Sequence, residues 1–144
     1  MSHSSSEKPY RVARSSSGLG LIATKSIKKG MPIIFYEGRL LDCWKKEDDS
    51  VNNRYLFEIN KRWTIDGSVR ENMARYINHG CRPNAEPEVM PRKRKILIRA
   101  IRTIREGEEI SYDYGKEYFE TYLKPKGCRC AACVTGKNKK RAAR

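Results

Sequence analysis

The residues of this sequence best suited to chemistry are cysteines. Three stand close together as Cys128-Arg129-Cys130-Ala131-Ala132-Cys133, and Cys81 lies far upstream within Arg75-Tyr76-Ile77-Asn78-His79-Gly80-Cys81-Arg82-Pro83-Asn84. The Cys-x-Cys-x-x-Cys spacing lets three thiolates grip a tetrahedral zinc from one side and leaves one corner open. Four soft thiolates favour zinc over harder cations. Cys81 can fill that corner, and on residue type alone Cys43 and His79 compete for it. A metal shared between Cys81 and the tail pins the C-terminal segment to the middle of the chain. Cys43 has no neighbouring cysteine in sequence and reads as a free thiol.

The other strings are polar and aromatic. Gly18-Leu19-Gly20 follows three serines and precedes an apolar run, so its backbone can approach a ligand closely. It lacks the remaining glycines of a dinucleotide fingerprint or a phosphate-binding loop. Asn78-His79 opens an irregular stretch and can hold the polar ends of a ligand. The only other histidine is His3 in the N-terminal arm, which argues against a Ser-His-Asp triad. In Gly107-Glu108-Glu109-Ile110-Ser111-Tyr112-Asp113-Tyr114-Gly115, Tyr112 and Tyr114 share a face if the segment is a strand. Eight tyrosines against three phenylalanines point to a lining whose hydroxyls are used, with Tyr36 and Tyr55 on other strands.

The elements that must position these residues read as short strands. Leu21 to Thr24 and Met31 to Leu41 are predicted strands on either side of a turn at Lys28-Lys29-Gly30. Trp44 to Asn53 is a charged excursion. Arg54 to Asn60 and Arg62 to Asp66 alternate as a hairpin. Ser68 to Ile77 fits a helix, with Ser68 and Glu71 in capping-box register and Val69, Met73 and Ile77 on one face. Asn78 to Pro87 is rich in turn residues. Lys95 to Ile101 and Glu109 to Tyr114 are strands, and Glu117 to Leu123 a short helix. The sum predicts a compact, mainly-β fold, within the size of one domain for 144 residues.

Composition narrows the function. No apolar stretch has the length of a membrane span, and the Ser-rich start has no signal-peptide core. A reducing, intracellular compartment follows, where clustered cysteines are metal ligands before they are disulfides. Lys and Arg number 31 against 17 Asp and Glu, a net charge of +14. That charge predicts non-specific contact with DNA through the basic surface and the Lys137-Asn138-Lys139-Lys140-Arg141 tail. No sequence-reading DNA motif is visible.

Taken in order, Gly18-Leu19-Gly20, Tyr36-Glu37-Gly38, the Arg75-to-Asn84 string, Glu108-Glu109-Ile110-Ser111-Tyr112-Asp113-Tyr114 and the terminal cysteines resemble the SET-domain protein lysine methyltransferases. The resemblance runs from about Tyr10 to Cys133. It implies small curled β-sheets with a knot-like crossing that brings Asn-His beside the Tyr-x-Tyr strand. It divides the chain into a flexible arm (1–9), a SET domain (10–123), a zinc-bound post-SET segment (124–134) and a basic tail (135–144), a minimal free-standing form.

The same resemblance implies S-adenosylmethionine as methyl donor, held by Ser17, Gly18, Leu19, Gly20, Asn78 and His79, with Tyr55 nearby and Arg129 over the adenine. Tyr114 matches the catalytic tyrosine, Tyr112 a position that sets how many methyl groups are added, and Tyr36 a channel residue. Zinc is expected on Cys81, Cys128, Cys130 and Cys133. The implied function is protein-lysine methylation, chiefly monomethylation, on a histone or histone-like DNA-associated tail. The implied location is nucleus or chromosome in a eukaryote or for an effector, and cytoplasm or nucleoid in a bacterium. The alternatives are a methyltransferase for non-histone proteins and a non-enzymatic, zinc-stapled module that binds nucleic acid. A basic tail is repelled by the net charge of +14, and either DNA bridging or an acidic groove from Glu47, Asp48, Asp49, Glu117 and Glu120 is expected to resolve this. Two departures stand out: two residues separate Cys130 from Cys133 where the family usually has four, and Gly80 replaces the usual serine.

Overall fold

The computed structural model describes residues 8–115. Ten short strands follow in chain order: β1 (Tyr10–Ser15), β2 (Gly18–Ala23), β3 (Pro32–Phe35), β4 (Arg39–Asp42), β5 (Leu56–Glu58), β6 (Trp63–Asp66), β7 (Asn78–His79), β8 (Ala85–Met90), β9 (Lys95–Ala100) and β10 (Ser111–Tyr112). A four-residue helix, α1 (Lys46–Asp49), lies between β4 and β5, and a 3-10 turn (Met73–Tyr76) precedes β7. The mainly-β expectation holds. No helix among the described residues is long and apolar enough to cross a membrane.

The strands form four small sheets among the described residues: β1-β2, β3-β9-β8, β4-β6-β5 and β7-β10. Only β7 and β10 pair in parallel, with Asn78 opposite Ser111 and His79 opposite Tyr112. Residues distant in sequence are thereby set side by side. Main-chain bonds from Ala23 to Glu108 and from Ile110 to Leu21 hold the approach to β10 against β2. β-Branched residues suit such pleated, half-covered surfaces. Accordingly the β-branched Ile77, Ile96, Ile98, Ile104 and Ile110 are fully buried and, with Leu21, join the sheets in one core. Each such side chain contributes roughly 1.5–3 kcal/mol on burial.

Several elements differ from the sequence reading. The chain from Tyr10 to Ser15, to which the sequence reading gave no element, is a strand paired with β2. Met31 to Leu41 is two strands, broken at Tyr36-Glu37-Gly38. Asn78 to Pro87 contains β7 and the start of β8. Ser68 to Ile77 is not a helix. The Asp66 carboxylate accepts from the Ser68 amide, so Ser68 closes a turn instead of capping. Val69 is 38% exposed, so the expected apolar face does not form. Asn72 is wholly buried, donating to the Gly67 carbonyl and accepting from the Glu37 amide. A buried amide bridging two main-chain segments outweighs helix periodicity here. The predicted helix from Glu117 to Leu123 lies outside the described residues.

Candidate active site

The three tyrosines singled out by sequence converge on one cleft of about 760 Å³, with Tyr55, Phe57, Ala74, Arg75 and Ile77 also on its walls. Tyr36 comes from the end of β3, Phe57 from β5, and Tyr112 and Tyr114 from β10 and beyond it. Their rings form a continuous series. Tyr36 meets Phe57 edge-on with centroids 5.2 Å apart, Phe57 lies 6.3 Å from Tyr112, and Tyr112 lies 5.1 Å from Tyr114. His79 closes the series edge-on to Tyr114 at 5.6 Å. Tyr36 and Tyr112 are each 5% exposed, so their rings are wall rather than surface. Phe57 was not identified from sequence, where it reads as one more apolar residue of a hairpin.

The hydroxyls are directed by main-chain carbonyls. Tyr36 donates to the Tyr55 carbonyl at 2.8 Å, and Tyr114 donates to the Ile77 carbonyl. The Tyr55 carbonyl also accepts the Gly67 amide. A β-carbon at Gly67 would stand 2.3 Å from the Tyr36 ring and 2.5 Å from the Asn72 amide. Glycine there is what lets Tyr36 and Asn72 occupy the same corner.

Asn78 joins the Tyr-x-Tyr end of the site to the β1-β2 hairpin. Its amide nitrogen lies 2.9 Å from the Leu19 carbonyl, 2.8 Å from the Glu109 carboxylate and 3.3 Å from the Ser15 hydroxyl. Gly20 is buried beneath this contact, whereas Gly18 and Leu19 face solvent at the turn and Ser17 is half-buried. The turn and the Asn-His pair are therefore brought together, as expected. Sequence reasoning missed Glu109 and Ser15 as partners of Asn78. It also missed Asn84, which is 2% exposed. Asn84 accepts from the Ser111 amide and donates to the Glu109 carbonyl, which clamps the segment after Cys81 to the strand that carries Tyr112. Its place in Arg82-Pro83-Asn84 was visible, but its burial was not.

His79 is buried, and its Nδ1 accepts the Tyr114 amide at 3.1 Å. With Nδ1 an acceptor, the neutral ring carries its proton on Nε2. Nε2 lies 3.4 Å from Cys81 Sγ and donates to it. The 3.8 Å approach of Asp113 to Nδ1 is then not an ion pair. This geometry sets the His79 ring beside the Cys81 sulfur, so two of the three residues that compete for the open corner of the metal site stand together. Cys43 instead donates to the Thr64 hydroxyl at 3.6 Å. Among the described residues no group of three or more His, Cys, Asp or Glu side chains forms a metal site. Cys128, Cys130, Cys133 and Arg129 lie outside the described residues.

Two further features concern ligand chemistry. Arg75 has a buried Nε without a hydrogen-bond partner, while its other nitrogens reach the Ser68 carbonyl and the Tyr76 hydroxyl. Its guanidinium stands 5.5 Å over the Tyr55 ring. A buried donor left unpaired is costly, and an anionic or carbonyl group of a ligand would satisfy it. Of the expected acidic groove, Asp48 and Asp49 line the cleft, joined by Glu58 and Asp113; Glu47 does not line it. Glu117 and Glu120 lie outside the described residues. Asp48 is partly engaged, since it accepts from Arg39 and from the Asp42 amide.

Comparison with known proteins fits this geometry. Residues 18–115 match the SET domain family model. The chain is 34% identical over 124 residues to the histone-lysine N-methyltransferase ASHH3 of Arabidopsis thaliana, covering 80% of this chain and 33% of that protein. It is 36% identical over 124 residues to the histone-lysine N-methyltransferase trithorax of Drosophila melanogaster, covering 81% of this chain and 3% of that protein. It thus spans a third or less of these relatives. The fold matches the Chaetomium thermophilum polycomb repressive complex 2 in an autoinhibited conformation bound to S-adenosylmethionine, with a TM-score of 0.63 and 27% identity over 75% of this chain and 15% of that one. Family model, relatives and fold agree, and the chain belongs to the SET-domain family.

Proposed function

We propose that this chain is an S-adenosylmethionine-dependent protein-lysine N-methyltransferase acting on a histone or histone-like tail. The observation that carries the reading is the aromatic cleft: Tyr36, Phe57, Tyr112 and Tyr114 in ring contact, with the Tyr114 hydroxyl bound to the Ile77 carbonyl beside Asn78-His79. Relatives named as histone-lysine methyltransferases support it. They also favour a nuclear or chromatin location.

The residues fit the cofactor. Ser17, Gly18, Leu19 and Gly20 offer main-chain groups at the hairpin turn. Asn78 and His79 adjoin them, and the unpaired Arg75 Nε beside Tyr55 offers a donor to an anionic end. When bound, S-adenosylmethionine supplies an electrophilic sulfonium methyl. The target lysine must be neutral to accept it. From a free pKa near ~10.4, deprotonation at pH 7 costs about 4–5 kcal/mol. An aromatic chamber that excludes water disfavours the ammonium and lowers that cost. The Tyr114 hydroxyl and the nearby carbonyls orient the amine lone pair. The Tyr112 hydroxyl occupies space beside Tyr114 and favours monomethylation. Carboxylates of Asp49, Glu58 and Asp113 on the cleft wall receive a basic peptide that the net charge would otherwise repel.

Zinc fits Cys81, whose sulfur accepts from His79, with Cys128, Cys130 and Cys133 completing the set. Residues 10–123 then form the SET domain, 124–134 the post-SET zinc segment and 135–144 the basic tail.

The test is transfer of labelled methyl from S-adenosylmethionine to core histones, nucleoid proteins and the enzyme itself, with mass spectrometry of the products. Methyl-lysine on a histone tail is expected. Absence of transfer to every substrate, together with no cofactor binding by calorimetry, would overturn the reading.

A further inference from the structure

Outside the cleft, the structure builds an alternating stack of indoles and guanidiniums. The Arg62 guanidinium lies 4.3 Å from the Trp44 ring centroid and 4.6 Å from that of Trp63. The Arg94 guanidinium covers Trp63 at 4.0 Å. The order is Trp44, Arg62, Trp63, Arg94, drawn from the end of β4, the start of β6 and the β8-β9 turn. Asp42 fixes the middle of the stack by accepting from Arg62 Nε and Nη2, each at 3.0 Å. That pairing neutralises Arg62 and leaves the net positive charge on the β8-β9 turn.

Two observations indicate that this is more than a staple between hairpins. First, Trp44 is 73% exposed. An indole recruited only to cover Arg62 would be sheltered, because large aromatic rings gain most from burial. Second, Arg94 is the only non-glycine residue with positive φ among the described residues, at 54°. A left-handed conformation disfavours a β-carbon by about 1–2 kcal/mol, so a side chain kept there must return something. What it returns is a guanidinium on Trp63 at the tip of an exposed basic run, Arg92-Lys93-Arg94-Lys95. Lys61, also exposed, adjoins Arg62 on the neighbouring hairpin. Lys61 and Cys43, the chain neighbours of Arg62 and Trp44, line the cleft, so the stack borders the cleft.

We propose that this surface docks single-stranded nucleic acid: Lys61, Arg92, Lys93 and Arg94 take successive phosphates, and a base stacks on the exposed Trp44. Aromatic platforms beside a cationic track are the general solution for unpaired strands. Duplex DNA would engage the cations and leave the indole without a role, and an acidic peptide would do the same. The proposal stands apart from methyl transfer, because no cofactor is needed for docking.

The chain has two tryptophans, Trp44 and Trp63, and both are in the stack, so tryptophan emission, excited selectively over tyrosine, reports on this surface alone. The 144-residue chain is titrated with oligothymidylate of about 20 nucleotides, with a duplex of equal length, and with heparin as a polyanion lacking bases. Oligothymidylate is expected to quench the emission, and heparin to bind without comparable quenching. Trp44→Ala should weaken oligothymidylate binding about tenfold or more and leave heparin binding unchanged; Trp44→Phe should restore most of it. Arg92→Glu with Lys93→Glu should weaken both ligands. With four phosphates neutralised, log affinity should fall against log salt with a slope of about −3. Unquenched emission, wild-type affinity in Trp44→Ala, or tighter binding of the duplex would overturn the proposal. So would loss of all binding in Lys139→Ala/Lys140→Ala/Arg141→Ala, which would assign it to the tail.

Discussion

The Tyr114 hydroxyl donates to the Ile77 carbonyl, while the Tyr114 amide donates to His79 Nδ1. One residue is thus tied at both ends to the Ile77-Asn78-His79 segment, which fixes the ring against Tyr112. Tyr114→Phe keeps the ring and the amide contact and removes only the hydroxyl. Turnover should fall about a hundredfold or more, the scale for losing one aligned polar group at a reacting centre. Stability should change by about 1 kcal/mol. Methyl-transfer rates and thermal unfolding measured together check this. Equal losses in both would mean that the hydroxyl only holds the fold.

Tyr112 is buried between Phe57 and Tyr114, with ring centroids 6.3 and 5.1 Å away. Its hydroxyl takes up room that a second methyl group would need. Tyr112→Phe should shift the product from monomethyl- toward dimethyl-lysine. An unchanged product mass spectrum would remove Tyr112 from the control of methylation degree.

Asn84 satisfies the Ser111 amide and the Glu109 carbonyl at 2.9 Å each. Asn84→Ala leaves both main-chain groups unpaired inside the protein. Each orphan costs about 1–3 kcal/mol, so a loss of about 2–4 kcal/mol is expected in chemical denaturation. Asn84→Asp keeps the acceptor for Ser111 and loses the donor to Glu109, so it should fall between the two. Wild-type stability in Asn84→Ala would show that the clamp is dispensable.

The mainly-β fold was legible because short β-branched runs and turn residues report local backbone preference directly. The Ser68-to-Ile77 helix was misread because its period is real but its partners are not apolar. Asn72 goes to the interior to bridge Glu37 and Gly67, and Asp66 takes the Ser68 amide. The bond between Asn72 and the Glu37 amide spans 35 positions, and a contact so distant leaves no local signal. The same limit hid Phe57 and Glu109. Tyr36, Tyr112, Tyr114 and Asn78 were found because they sit in strings that resemble a family. The Gly80 departure has a local counterpart: a β-carbon at Gly80 would meet the Ser111 hydroxyl at 2.4 Å, so a serine side chain already fills that space from the opposite strand.

The contact between His79 Nε2 and Cys81 Sγ at 3.4 Å links the proposed zinc site to the segment that holds Tyr114. Cys81→Ser, or removal of metal by a chelator, should abolish most methyl transfer while leaving the β-sheet signal in circular dichroism largely intact. Metal analysis should give one zinc per chain before chelation and none after. Full activity in metal-free protein would detach the cysteines from the site.

Asp42 lies below its ordinary value of 3.8, chiefly because Arg62 donates hydrogen bonds to its carboxylate, with the Trp44 amide adding to the effect and burial opposing it. Arg62 is raised by the same pairing. The folded carboxylate binds its proton less readily than the unfolded one, so its contribution is complete above the unfolded value and is lost as pH falls through the folded value. Asp66 behaves alike: burial raises it, but hydrogen bonds from Ser68 and Asn53 together outweigh that and leave it lowered. Stability should therefore fall on acidification below about pH 4, with no change from these two groups between pH 6 and 8. Asp42→Asn should remove part of that acid slope and lower the melting temperature at neutral pH. It should also loosen Arg62 between Trp44 and Trp63 and change their emission. Superimposable melting curves for wild type and Asp42→Asn from pH 7 down to pH 3 would show that the Asp42-Arg62 pair holds neither the sheet edge nor the aromatic stack.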